Sequence, residues 1–113
     1  MRSLGYAVIL GIVGLGADCA SVRAAQPTEY RLIIQSHLFS PAVLDVPAGI
    51  KIRLIVENRD ASAEEFESYD LNREKIVAGK SSIVVFIGPL KAGSYKYFGD
   101  FNQDSANGRI VAK

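Results

Sequence analysis

Apolar and charged residues alternate from Ile50 to Glu57: Ile50, Ile52, Leu54 and Val56 fall on one side, Lys51, Arg53 and Glu57 on the other. That period of two marks an extended strand with one face in a core and one in water. Tyr30–Ile34 and Ile83–Ile87 are short runs rich in β-branched residues; Val43–Val46, Ser94–Phe98 and Arg109–Ala112 are briefer candidates. No segment of the sequence carries a helical period. Turn-forming residues separate the runs at Pro47-Ala48-Gly49, Ala78-Gly79-Lys80, Gly88-Pro89, Lys91-Ala92-Gly93 and Asn107-Gly108. The pattern predicts an all-β sandwich of seven to eight short strands, with Asn58–Ala63 and Gly99–Asn107 as its longest irregular stretches.

The first residues follow another rule. Arg2 supplies a positive charge, Leu4–Leu15 is apolar apart from its glycines, and Val22-Arg23-Ala24 places small residues at the spacing a signal peptidase accepts. We expect a secretory signal over residues 1–24 and one exported, periplasmic domain over residues 25–113. The apolar run is shorter than the roughly 20 residues that cross a bilayer, and no later run is both long and uncharged, so no direct membrane insertion is expected. Cys19, the single cysteine, falls inside the signal, which leaves the exported domain no disulfide and no thiolate. Asp18 stands where a lipoprotein signal requires a small residue, which argues against Cys19 as a lipid anchor.

Loss of Arg2, Arg23 and Asp18 lowers Lys+Arg from 13 to 11 and Asp+Glu from 12 to 11, and the net charge from +1 to zero. A neutral domain without a basic stripe has no footprint for nucleic acid. Its charge is nevertheless uneven, because Asp60–Glu74 holds six acids against one base, Arg73. If Glu64-Glu65-Phe66-Glu67 is a strand, Glu65 and Glu67 share a face and Phe66 takes the other. Two adjacent carboxylates, with Asp100 from the later loop, make a hard-ligand set for an iron or copper ion, and His37, the sole imidazole, is a further candidate. The alternative is a solvated acidic face balanced by Lys and Arg; Arg73 and Lys75 are expected to pair with the acidic cluster, which keeps an empty carboxylate site from repelling itself. Tyr69, Tyr95 and Tyr97 admit two readings, electron relays or core and interface aromatics.

Phe39-x-Pro41, Val46-x-Ala48-Gly49, the alternating strand ending at Asn58, Gly93-x-Tyr95-x-Tyr97-Phe98 and Gly108-x-Ile110-Val111 together resemble the cupredoxin pattern across nearly all of residues 25–113. The resemblance implies a Greek-key β-sandwich with a copper ion at one end, between the loop after the Asn and the loop between the last two strands. A blue-copper centre uses two imidazoles, a thiolate and a weak thioether. The matching positions fall near Glu65, on Gly99, on Asn102 and near Ala106, so the ligand types are missing and no type 1 copper is expected.

Glu65-Phe66-Glu67, within Glu64-Glu65-Phe66-Glu67-Ser68-x-x-Leu71-x-Arg73-Glu74-Lys75, is similar to the Glu-aromatic-Glu run of EfeO-type cupredoxin domains. Ile87-Gly88-Pro89-Leu90 and Phe98-Gly99-Asp100-Phe101 look closer to the FtrB-like periplasmic proteins of bacterial ferrous-iron uptake. That branch implies handling of iron, with copper-assisted oxidation of ferrous iron as an accompanying activity, alongside a periplasmic iron-binding protein and a membrane iron permease as partners. EfeO domains carry two cysteines where Phe39 and Gly99 stand here, and FtrB-like relatives often place His at Asn102, so roles that need those groups do not transfer. The expected metal residues are Glu65, Glu67, Asp100, His37 and Asn102. Two other readings stay open: a cupredoxin-shaped interaction domain without a metal site, and a weak cupric-ion binding module.

Overall fold

The computed structural model describes residues 27–113; the expected signal over residues 1–24, with Cys19, lies outside the described residues. Nine strands form: β1 (Thr28–Gln35), β2 (Leu38–Ser40), β3 (Val43–Val46), β4 (Ile52–Asn58), β5 (Glu64–Ser68), β6 (Arg73–Val77), β7 (Ser81–Ile87), β8 (Gly93–Gly99) and β9 (Asn107–Ala112). They make two mixed sheets, ordered β2-β1-β4-β7 and β3-β9-β8-β5-β6. The chain passes from one sheet to the other after β2, β3, β4, β6 and β7, so each sheet is assembled from distant parts of the sequence. β1 runs parallel to β4, and β3 parallel to β9.

The alternation in β4 follows the burial: Ile52, Leu54, Val56 and Asn58 are buried, while Arg53, Ile55 and Glu57 lie half out. Ile50, placed in the core by its spacing, is instead 39% exposed, because the strand starts only at Ile52 after the Pro47-Ala48-Gly49 turn. Leu32, Ile34, Leu54, Val56, Ile87 and Ile110 fill the space between the sheets. Three aromatic rings join them: Tyr97 lies 4.9 Å from Phe39, edge to face, and 5.3 Å from Phe66. Tyr97 is therefore a core residue, and burial pushes its phenol well above the ordinary value. Tyr69 is exposed beside Phe98, and Tyr95 donates its hydroxyl to the Lys91 carbonyl at 2.7 Å.

Nine strands exceed the expected seven to eight, and the two that no run in the sequence marks, β2 and β6, both lie at sheet edges. β2 is reached through a two-residue turn, Ser36-His37, in which both residues have positive φ (55° and 58°), as a tight hairpin requires. Asp60 holds this turn by accepting the Ser36 and His37 amides at 2.7 and 3.0 Å. Asn58, buried at the end of β4, donates to the Ser62 carbonyl at 2.8 Å and accepts the Asp60 amide at 3.0 Å, which fixes the loop carrying Asp60. β6 is exposed at four of its five positions and borders the edge strand β7 of the other sheet. Arg73 Nε donates to the Phe86 carbonyl at 2.9 Å and Lys75 Nζ to that of Val84 at 3.1 Å. The expected pairing of Arg73 and Lys75 with the acidic cluster is thus corrected: both bases satisfy backbone acceptors on β7.

Candidate metal centre

β5 supplies the site because a strand sends successive side chains to opposite faces. Glu64, Phe66 and Ser68 point inward and are buried; Glu65 and Glu67 lie half-buried on the outer face. β6 lies antiparallel to β5, with Glu74 directly opposite Glu67 and diagonal to Glu65. On the other flank Phe66 pairs with Gly99 of β8, so the chain leaving β8 enters a short 3₁₀ turn, Asp100–Asn102, beside Glu65. Carboxylate oxygens of Glu65, Glu67 and Asp100 all lie within 4.8 Å of one another.

The electrostatics follow from this crowding. Partial loss of water pushes the Glu65 carboxyl up to about 7, helped by hydrogen bonding with Glu74 and Glu67 and by the charges of Glu74 and Asp100. Among the described residues the ion pairs lie elsewhere, at Arg31–Glu57, His37–Asp60, Arg53–Glu29, Arg59–Glu57 and Lys113–Asp45. Like charges are therefore held close without a base between them, the arrangement a divalent cation relieves.

The other two expected ligands are not in this cluster. His37 sits in the β1–β2 turn, with Nδ1 3.5 Å from Asp60 Oδ2, and its carbonyl accepts the Ser105 hydroxyl at 2.7 Å. The His37 amide is the main cause that holds Asp60 below the usual carboxylate range. Asn102 turns its amide nitrogen inward and donates to Glu64 Oε2 at 2.7 Å.

That contact exposes a residue the sequence reading passed over. The positions matched to blue-copper ligands do converge at one end of the sandwich, but Glu64, not Glu65, faces Gly99, Asn102 and Ala106 there. Glu64 is 1% exposed, and its Oε1 accepts the amides of Phe101 at 2.8 Å and Glu65 at 2.9 Å. A period of two counted from Phe66 would have placed Glu64 inside, yet a charged residue next to two outward acids reads as one more surface group. The interior end thus presents a carboxylate, a carboxamide, a glycine and a methyl group.

The Cupredoxin-like domain model matches residues 6–112. The chain belongs to this family. This cupredoxin-like domain is 51% identical over 83 residues to the protein designated Uncharacterized protein RP394 of Rickettsia prowazekii, an alignment that takes in 74% of the chain and 66% of the relative. It therefore spans just under two thirds of that relative's length. Among solved structures, auracyanin A, a blue copper protein from Chloroflexus aurantiacus, superposes with a TM-score of 0.67 at 14% identity, over 78% of the chain and 100% of auracyanin. The metal-binding domain of the Cu(I)-exporting P-type ATPase CopA of Streptococcus pneumoniae gives 0.67 at 13% identity, over 75% and 84%. A purple cupredoxin from Nitrosopumilus maritimus gives 0.59 at 17% identity, over 74% and 98%. At these identities the likeness is one of fold, and the chemistry of the domain is read from its own residues.

Proposed function

We propose that this cupredoxin-like domain is a periplasmic metal-binding accessory of ferrous-iron uptake that holds its cargo ion on the carboxylates of Glu65, Glu67 and Asp100. The observation that carries the reading is the approach of these three groups to within 4.8 Å on the outer face. Carboxylate oxygens suit ferrous, ferric and cupric ions, whereas a cuprous ion would favour sulfur ligands. The domain forms no type 1 copper centre, since the matched interior positions are Glu64, Gly99, Asn102 and Ala106 and none supplies a thiolate, imidazole or thioether.

The likeness of the Glu65-Phe66-Glu67 run and its flanking residues to the EfeO-type and FtrB-like branch supports this reading, with a periplasmic iron-binding protein and a membrane iron permease as the partners it implies. An open carboxylate site suits holding and passing on an ion, because ligands on an outer face can be exchanged for those of a partner. Oxidation of ferrous iron would be an added activity of that ion, tested separately by following ferric product.

Anaerobic titration calorimetry of residues 25–113 with ferrous ion tests the reading. Replacing Glu65 and Glu67 by Gln keeps their volume and removes two charges, so affinity should fall at least tenfold, about 1.4 kcal/mol. A double variant that binds as the parent does would leave the acidic face as solvated surface and favour the interaction domain without a metal site.

A further inference from the structure

Glu64 is a buried carboxylate that makes no ion pair among the described residues, and the iron-holding reading does not use it. Such a group is costly unless donors surround it. Here three do: the Glu65 and Phe101 amides meet Oε1, and the Asn102 side-chain amide meets Oε2. Two of these come from the loop between β8 and β9, far along the chain from β5. The space the carboxylate occupies is equally defined. A Cβ on Gly99 would lie 2.6 Å from Glu64 Cδ, 2.7 Å from its Oε2 and 2.8 Å from the Ala106 Cβ. Glycine at 99 is therefore what the Glu64 side chain and the Ala106 methyl group leave room for.

We propose that the Glu64 carboxylate takes over, at this end of the sandwich, the cross-linking role that a metal ion and its ligands have in copper-binding members of the fold. It ties β5 to the loop between β8 and β9, and the interior end takes no metal. Both oxygens are already engaged by donors, Gly99 and Ala106 bear no ligand atom, and Asn102 presents hydrogens to the carboxylate. The latch also sets the outer face, because Asp100 begins the turn whose next two residues bond to Glu64. The inference stands independently of the iron-holding reading, since it concerns the metal-free chain.

Amide hydrogen exchange on residues 25–113, with chelator and then with cupric ion as the probe, tests it. The Phe101 amide should be protected without metal, and cupric ion should leave that protection unchanged. In Glu64→Gln, one acceptor oxygen becomes an NH2 donor that faces the Phe101 amide or the Asn102 amide, so protection at Phe101 and through Ala106 should drop by roughly 10-fold or more. Protection at Val56 in β4 should not change by that local route. If the Gln variant does not fold, Asn102→Ala, which removes only the side-chain contact to Oε2, serves instead and should loosen the turn whose Asn102 carbonyl accepts the Ser105 and Ala106 amides at 3.2 and 2.8 Å, so that exchange at both rises. A Phe101 amide that is open in the metal-free chain and closes on adding copper would overturn the proposal. So would protection that survives in both variants. Loss of ferrous binding in Glu65→Gln/Glu67→Gln with Phe101 exchange unaltered bears on the outer site alone, so the two claims fail separately.

Discussion

At Gly99 the absence of a side chain is a packing requirement rather than a backbone one, since its φ is negative and its Cβ position is filled by Glu64 and Ala106. Gly99→Ala should cost about 1–3 kcal/mol of stability by overpacking, measured by chemical denaturation. Pairing it with Glu64→Ala should cost less than the sum of the two single changes, because the pair shares one volume. Glu65 gives a pH signature of opposite sense to most carboxylates. Its folded-state value of about 7 exceeds the ordinary 4.5, so between these the folded chain retains a proton that the unfolded chain has released. Its contribution to stability is therefore present in acid, falls as pH rises through that window and then levels off. Denaturation midpoints between pH 5 and 7.5 should show this slope, and Glu65→Gln should flatten it. A divalent ion competes with the same proton, so affinity should rise over the same range. Of the five expected metal residues, the sequence pointed to the three that meet, because strand periodicity dictates that Glu65 and Glu67 share a face. His37 and Asn102 lie outside that cluster, because proximity in the chain to a loop does not say which way a side chain turns. Glu64 shares the inner face with Phe66 by the same period of two, but its charge and its two acidic neighbours outweigh that signal in a sequence, where the amides that ring it are not visible.

The strands legible beforehand are those buried on at least one face, β4 above all, whose alternation is enforced by the core. β2 and β6 were not legible, for separate reasons. β2 has only three residues, and the turn before it uses Ser36 and His37 at positive φ rather than the glycine or asparagine that would signal a hairpin. β6 is an edge strand with a single buried position, Val77, so no hydrophobic period survives in it. The same exposure explains its chemistry. Arg73 and Lys75 cover backbone carbonyls of β7 that an edge would otherwise leave open. Arg73→Ala and Lys75→Ala should each lower stability by about 0.5–1.5 kcal/mol, and ferrous affinity should stay within about twofold, as read by denaturation and calorimetry. Had the two bases been counter-charges of the acidic cluster, their removal would change affinity more than stability.

Taken whole, the molecule keeps the two-sheet frame of the cupredoxin-like family while its carboxylates divide between an inner latch and an outer cluster on the two faces of β5. Cupric ion added to residues 25–113 should give no intense blue absorption, since charge transfer to copper needs a thiolate and the interior end has none. The central claim is about place: any ion this domain carries sits on the outside of the five-stranded sheet. Anomalous diffraction from crystals of residues 25–113 grown with manganese(II) tests it most directly. The account predicts one ion within about 2.0–2.6 Å of oxygens from Glu65, Glu67 and Asp100. An ion bound inside, on Glu64 and Asn102, or crystals without bound manganese, would contradict it.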